Sequence, residues 1–391
     1  TTEIYTLSLH DALPIWVVCV VASRLYARRW HAVLKDSFER IQEYGLLPSS
    51  RPRVVVPLAS SQQAVTALGL HRPGRWTARL VLRIARALAG VGSLAMLRGR
   101  VLIIATQGPD LVPRGATQAN LMSRRDANAM DFALYLGTAD DNRKTIVLPM
   151  GTSAPHTILK VAETQQARCA LQSEAAALAA LASSHIKRYV PKLQGLVVGK
   201  DALTLFQEYR QRRQVDQSQM DTAVISFLGQ LSLLNRQTMP VSTLLDAVPS
   251  DAVVRLPDEV EPAWRALRAN LQLLAESGAE LWVHRTHGDF APWNCAWTDQ
   301  GLFVYDWEES GDAGLALGDA FYYAISLPLL LQRKVVAAKT LQAALRLADK
   351  VAEASGMALD SRPYLALWLL GRVGKADLYD ELIVLLERCW R

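Results

Sequence analysis

Short apolar runs separated by polar turns organise the middle of the chain. Residues 132–137 and 145–149 are apolar and strand-like, and the polar stretch 139–144 joins them. A turn at 151–155 leads into residues 156–162, a third strand with Lys160 in its apolar interior. Residues 171–178 carry Glu174 within an alanine- and leucine-rich run whose propensity and spacing predict a helix. Residues 190–198 and 203–209 read as two further strands around a Gly-Lys-Asp turn, the second ending in Gln207, Glu208 and Tyr209. Beyond residue 212 the pattern is mostly helical, with one hairpin. Residues 295–297 form a short strand, 298–301 supply turn chemistry, and 302–305 form an apolar strand.

That hairpin carries the most informative residues. Asp289 and Asn294 stand just before it, in the run His287-Gly288-Asp289-Phe290-Ala291-Pro292-Trp293-Asn294, and Asp306 follows it in Val304-Tyr305-Asp306-Trp307-Glu308. A hairpin returns its ends to one place, so Asn294 and Asp306 are expected to face each other. Two such oxygens, with nucleotide phosphates, suit magnesium, which takes few protein ligands and prefers oxygen. Asp289 beside them is placed to orient an attacking hydroxyl and accept its proton. A His-Gly-Asp triplet by itself reads equally well as a turn. The complete set, with the apolar strand before Asp-Trp-Glu, does not.

The order of catalytic Asp, following Asn and metal-binding Asp resembles the catalytic loop of kinases, with HGD and DWE flanks in place of HRD and DFG. In this form the chain resembles the aminoglycoside phosphotransferase and choline kinase superfamily over about residues 130–391. The resemblance implies an α+β fold of two kinase-like lobes: a small antiparallel five-stranded lobe with one helix (129–212) and a larger helical lobe (213–391). It implies ATP and magnesium as cofactors. Lys160 would hold the phosphates and Glu174 would fix Lys160, with Glu163 the nearest alternative partner. Gln207, Glu208 and Tyr209 would hold adenine through their backbone, Asn294 and Asp306 would bind the metal, and Asp289 would be catalytic. The expected reaction moves the γ-phosphate to a small-molecule hydroxyl, such as that of a saccharide or cell-envelope precursor. The alternative is a pseudokinase that binds nucleotide to regulate a partner, and the absence of a G-x-G-x-x-G between the first two strands is its best argument. A protein kinase fits less well, since no activation segment separates Asp306 from the next helix. Trp293 would wall the acceptor pocket, with Glu308, Glu309 and Asp312 supplying acidity. Asp319 matches an acidic position of these families and reads as a cap for the helix at 320–330.

Charge divides the molecule. Residues 16–131 hold 17 Lys and Arg against 6 Asp and Glu, and residues 132–391 hold 26 against 29, within a net charge of +6. Residues 16–128 are therefore expected to form a separate, basic, mostly helical region. In it Arg79, Arg83 and Arg86 recur at helical spacing among apolar residues. Such a helix packs its apolar face inward with its arginines in water, or lies on an anionic membrane surface through residues 72–100. No aromatic-rich basic strand or recognition helix accompanies the charge, which argues against nucleic acid. Residues 24–58 faintly resemble the closing segment of methyltransferase-like domains, without the glycine-rich cofactor loop. Residues 1–15 read codon for codon as a translated sequencing adapter and are set aside, so the natural chain is expected to begin upstream.

Other motifs fail on context. Residues 195–201 mimic a phosphate loop but are a residue short and lack Ser or Thr after lysine. Residues 90–95 echo a dinucleotide fingerprint but follow a helical run. His284 and His287 have no cysteine or third histidine nearby for zinc. The four cysteines show no paired spacing, which fits a reducing compartment: the cytoplasm, peripheral to a membrane's inner face if the basic helix lies there.

Overall fold

The computed structural model describes residues 3–9, 15–35, 40–47, 53–69, 76–91, 99–106, 131–136, 140–150, 156–199, 202–248, 256–331 and 336–390. They fall into two compact units, Thr1–Ala175 with Lys192–Arg210, and Ala176–Pro191 with Gln211–Arg391.

The first unit contains β1 (Glu3–Leu9), β2 (Ile15–Ser23), α1 (Arg24–Lys35), β3 (Arg40–Leu47), β4 (Val54–Pro57), α2 (Ser61–Gly69), α3 (Trp76–Gly90), β5 (Arg100–Thr106), β6 (Asp131–Leu136), β7 (Lys144–Met150), β8 (Thr157–Ala162), the start of α4 (Gln165–Leu181), β9 (Leu193–Val198) and β10 (Leu203–Glu208). Its strands form one sheet in the order β1-β2-β5-β3-β4-β6-β7-β8-β10-β9, each neighbouring pair antiparallel. The kinase-like run β6 to β10 is thus antiparallel, with α4 packed beside it.

The N-terminal region departs from expectation in two ways. Among its described residues it holds four strands, β2 to β5, beside its three helices, because Val54-Val55-Val56 and the runs at 17–21 and 101–104 are continuous β-branched or apolar stretches rather than helical stripes. It also continues the sheet, since β4 pairs with β6 through Val54↔Tyr135 and Val55↔Leu134. Both faces at that junction are covered, which is why β4 is apolar throughout. Val54 and Val56 join a core with Leu58, Ala64, Ala67, Leu68, Ala85, Ala89, Ala133 and Leu148. Val55 joins Tyr44 and Leu46 against Phe132 and Leu134 on the opposite face.

On α3 the arginines are not alike. Arg83 is exposed, but Arg86 donates to the Leu68 carbonyl oxygen from Nη2 at 2.8 Å and from Nε at 3.3 Å. The Arg79 side chain lies outside the described residues.

The second unit is mostly helical: α5 (Gln217–Leu231), α6 (Val241–Asp246), α7 (Glu261–Glu276), α8 (Gly318–Leu331), α9 (Ala337–Ala354), α10 (Ser361–Leu370) and α11 (Asp377–Trp390). Capping carboxylates start two of them, Asp216 accepting from the Ser218 N–H and Asp360 from the Arg362 N–H. Its strands are β11 (Gln237–Pro240), β12 (Glu280–Thr286), β13 (Cys295–Thr298), β14 (Gly301–Val304) and β15 (Gly311–Leu315), in a three-stranded sheet β11-β12-β15 and a hairpin β13-β14. Phe227, from α5, anchors the core, stacked on Phe290 at 5.4 Å and edge-on to Trp307 at 6.3 Å. These rings fix the two segments that bracket the hairpin. No helix among the described residues is long and apolar enough to cross a membrane.

Candidate active site

In the first unit, Lys160 lies on β8 opposite Leu205 of β10 and Ile146 of β7. A lysine in a central strand needs an anion, because an unpaired buried charge costs several kcal/mol. Glu174 supplies it from α4. Lys160 Nζ donates to Glu174 Oε1 at 2.7 Å and Oε2 at 2.8 Å, with the residues 4% and 0% exposed. Glu163 is exposed, so the alternative partner is excluded. Thr164 caps α4, its hydroxyl accepting from the Ala167 N–H at 3.2 Å, which sets the helix register that brings Glu174 inward.

The residues expected to hold adenine through their backbone are differently disposed. The Glu208 N–H donates to the Lys192 carbonyl at 2.9 Å and the Tyr209 N–H to that of His156 at 2.8 Å, so both donors are spent. Glu208 also accepts from Arg210 Nε at 2.8 Å. Gln207 is buried, and its side-chain oxygen has no hydrogen-bond partner among the described residues. Residues 137–139, with Gly137 and Thr138, lie outside the described residues. The mimic of a phosphate loop is the β9–β10 turn, closed by Gly199 N–H donating to the Ala202 carbonyl at 2.8 Å.

In the second unit, β12 delivers the chain into His287, and the loop to Asn294 is held from behind. Asp319, in the first turn of α8, accepts the His287 N–H at 2.7 Å and the Gly288 N–H at 3.0 Å. Its carboxylate therefore fixes the loop instead of capping its own helix, correcting the expectation from sequence. Burial raises the Asp319 carboxyl to about 6 against the lowering effect of those two N–H groups. Gly288 has φ +86°, and a β-carbon there would run into the carbonyl of Glu309, so the glycine of His-Gly-Asp is required twice over. His287, fully buried, meets the Tyr305 carbonyl through Nε2 at 3.2 Å and packs on Trp307 with ring centroids 4.6 Å apart. His284 is buried, with Nδ1 2.6 Å from the Arg285 carbonyl oxygen.

The expected hairpin forms, with Cys295↔Val304 through Thr298↔Gly301 as its register and Asp299-Gln300 as its turn. Tyr305 N–H then donates to the Asn294 carbonyl at 3.1 Å, which places Asp306 one residue beyond Asn294's partner. Asn294 Nδ2 donates to the Asp289 carboxylate and carbonyl, each at 2.9 Å. Its amide nitrogen is thereby committed and its amide oxygen is the atom it can offer a cation. Asp306 sits in the left-handed region (φ 73°, ψ 59°), an uncommon conformation for a non-glycine that costs about 1–3 kcal/mol and concentrates at functional positions. Burial pushes the Asp289 carboxyl above the usual range. Hydrogen bonds from Tyr322 and Asn294 oppose that rise, and the charges of Asp306 and Glu309 add to it. Three carboxylates close enough to repel one another are a hard-oxygen set that a divalent cation would relieve, which fits magnesium.

Two residues at this site went unseen in the sequence. Tyr322 donates to Asp289 from α8, and burial and that contact raise its hydroxyl well above the usual tyrosine range. Arg212 sits 4.8 Å over the Tyr305 ring and donates from Nη2 to the Trp293 carbonyl at 3.3 Å, and burial lowers it to about 9. Neither lies in a motif, since each reaches the loop through tertiary packing. Asp312, expected in the acceptor pocket, pairs instead with Arg285.

Residues 149–325 match the model of the phosphotransferase enzyme family. No curated protein matches the chain. Among solved structures, the chain is similar to aminoglycoside phosphotransferase APH(3'')-Id from Streptomyces rimosus in complex with ADP and streptomycin (16% identity, 64% of this chain and 92% of that one, TM-score 0.38). It is also similar to a thermostable mutant of APH(4)-Ia (14%, 67% and 96%, TM-score 0.46) and to a putative fructosamine-3-kinase from Haemophilus somnus (14%, 66% and 92%, TM-score 0.37). The matched family span contains Lys160, Glu174, Asp289, Asn294, Asp306 and Asp319. The similarity to the phosphotransferase enzyme family is thus confined to residues 149–325, the span that holds both the Lys160–Glu174 pair and the loop around Asp289.

Proposed function

We propose that the protein transfers the γ-phosphate of ATP to a hydroxyl of a small molecule, a saccharide or an envelope precursor bearing one. The hydrogen-bonded pair Asp289–Asn294 beside Asp306 carries this reading. Lys160, held by Glu174, binds the nucleotide phosphates. Asn294, through its amide oxygen, and Asp306 hold magnesium, which when bound neutralises charge on the transferring group. Asp289 accepts the hydrogen bond of the acceptor hydroxyl and takes its proton as the oxygen attacks. Its raised affinity for protons suits a base working near neutrality. Asp319 and Gly288 keep the loop fixed while this happens.

The test is phosphate transfer from ATP to a panel of sugars and polyols. Transfer that disappears in Asp289→Asn, while the variant still binds Mg-ATP, agrees with the proposal. Nucleotide binding without transfer to any acceptor would favour the regulatory pseudokinase, for which the occupied N–H groups of Glu208 and Tyr209 are the supporting observation.

A second proposal concerns α3. Leu80 and Ile84, one turn apart, are 49% and 51% exposed, Val91 is 77% exposed, and Arg83 stands between them in a stretch (72–100) with seven arginines and no acidic residue. An exposed apolar stripe flanked by arginines suits peripheral contact with an anionic membrane at the cytoplasmic face. Sedimentation with phosphatidylserine vesicles that is lost in Leu80→Asp, Ile84→Asp would agree, and equal sedimentation of both forms would not.

A further inference from the structure

The sheet of the first unit presents Lys160 on one particular face, and strand register identifies its companions there. Lys160 lies opposite Leu205, and Ile158, two residues earlier on the same strand, lies opposite Gln207. Paired residues of an antiparallel ladder share a face, and so do residues two apart. Leu148 follows Val147, the partner of Leu159, and pairs with Ala133, so both belong to that face as well. A nucleotide with its phosphates at Lys160 and its base toward Gln207 and Tyr209 must lay the base across Ile158 and Leu148.

That surface is already covered. Ala133 and Leu148 are 0% exposed and share one core cluster with Ala64, Ala67 and Leu68 of α2 and Ala85 and Ala89 of α3, with Ile158 and Tyr209 packed at its margin. The helix α2 packs on β4 and β6, and the two helices are clasped by Arg86 on the carbonyl that ends α2. Beside this cover, the Gln207 side-chain oxygen is buried without a partner among the described residues, an acceptor suited to an exocyclic amino group.

We propose that the α2–α3 hairpin is an intramolecular occupant of the surface a nucleotide base needs, so that nucleotide and hairpin compete for it. The proposal rests on the reading that Lys160 holds ATP phosphates. Binding is then weakened by the fraction of molecules in which the hairpin is seated, and anything that lifts the hairpin strengthens it.

Amide hydrogen exchange in residues 61–69 and 76–90 of the full chain, with and without saturating Mg-ATP, decides the matter. Competition makes exchange in both segments faster with nucleotide. Unchanged or slower exchange at saturation would overturn it, since the hairpin would then be a bystander or a wall of the pocket. Arg86→Ala, which loosens the clasp without touching the sheet, should tighten Mg-ATP binding by about fivefold if the seated form predominates. An equal or weaker affinity in a folded variant counts against the proposal. A wild-type chain that binds no Mg-ATP by calorimetry would instead overturn the ATP reading, and this proposal with it.

Discussion

The ionisable groups of the first unit and those of the second are built on opposite principles. Lys160 and Glu174 neutralise each other at 2.7 Å with both side chains buried, and the pair is complete without any ligand. The charges of Asp306 and Glu309 both bear on Asp289, to which Asn294 and Tyr322 donate. One arrangement is neutral within the fold; the other gathers negative charge that the proposed magnesium would offset. Structural demand alone accounts for the first, because a buried lysine must be paired wherever it occurs. The second has no structural justification, which is why it carries more of the functional argument.

The comparison can be broken by mutation, and the largest effect should fall on the second unit. Asp289→Asn should lower kcat by about 10²–10⁴-fold, the usual share of a positioned base, with the fold intact by circular dichroism. Glu174→Gln strikes the first unit instead. It leaves Lys160 buried and under-compensated, and chemical denaturation should show a loss of about 3–5 kcal/mol. A loss of turnover without a loss of stability there would mean the pair is not the folding requirement described here.

Gly288→Ala comes next, since φ +86° and the Glu309 carbonyl both oppose a side chain. Left-handed strain alone costs about 1–3 kcal/mol, and activity should fall further than stability because Asp289 is the next residue.

Asp319 supplies a pH test. Its folded carboxyl is raised to about 6 from an ordinary 3.8, so the folded protein holds that proton where the unfolded chain has released it. Its stabilising contribution is therefore fully present below about pH 4 and is lost as pH rises through 6. Urea midpoints between pH 4 and 7 should show that decline in the wild type and a flatter profile in Asp319→Asn.

The smallest effect belongs to the exposed pair Arg265–Glu261 on α7, 67% and 43% exposed at their side chains. Replacing both with alanine should change stability by under about 0.5 kcal/mol.

Much of the site was legible because it is local. The spacing of Asp289, Asn294 and Asp306 follows from a hairpin whose turn and strands are written in adjacent residues, and Lys160 with Glu174 follows from a strand and the helix after it. What was not legible lies across the fold. Asp319 seemed to cap its own helix, since sequence cannot say that its carboxylate reaches the N–H groups of His287 and Gly288. Tyr322 and Arg212 belong to no motif and meet the loop only through packing. In the N-terminal region the arginine spacing of α3 was visible, but the order in which the valine-rich strands pair was not, since strand pairing is a long-range property. The pairing of β4 with β6 depends on two residues on either side and has no signal in the sequence.

The central claim is that Asp306 holds the metal on which ATP binding depends. Chemical denaturation of the wild type and of Asp306→Asn, each with and without Mg-ATP, measures this directly. At 100 times the dissociation constant the wild type should gain about 2.7 kcal/mol and Asp306→Asn should gain almost nothing at the same concentration. Equal stabilisation of both proteins would contradict the claim, because the metal would then be held elsewhere.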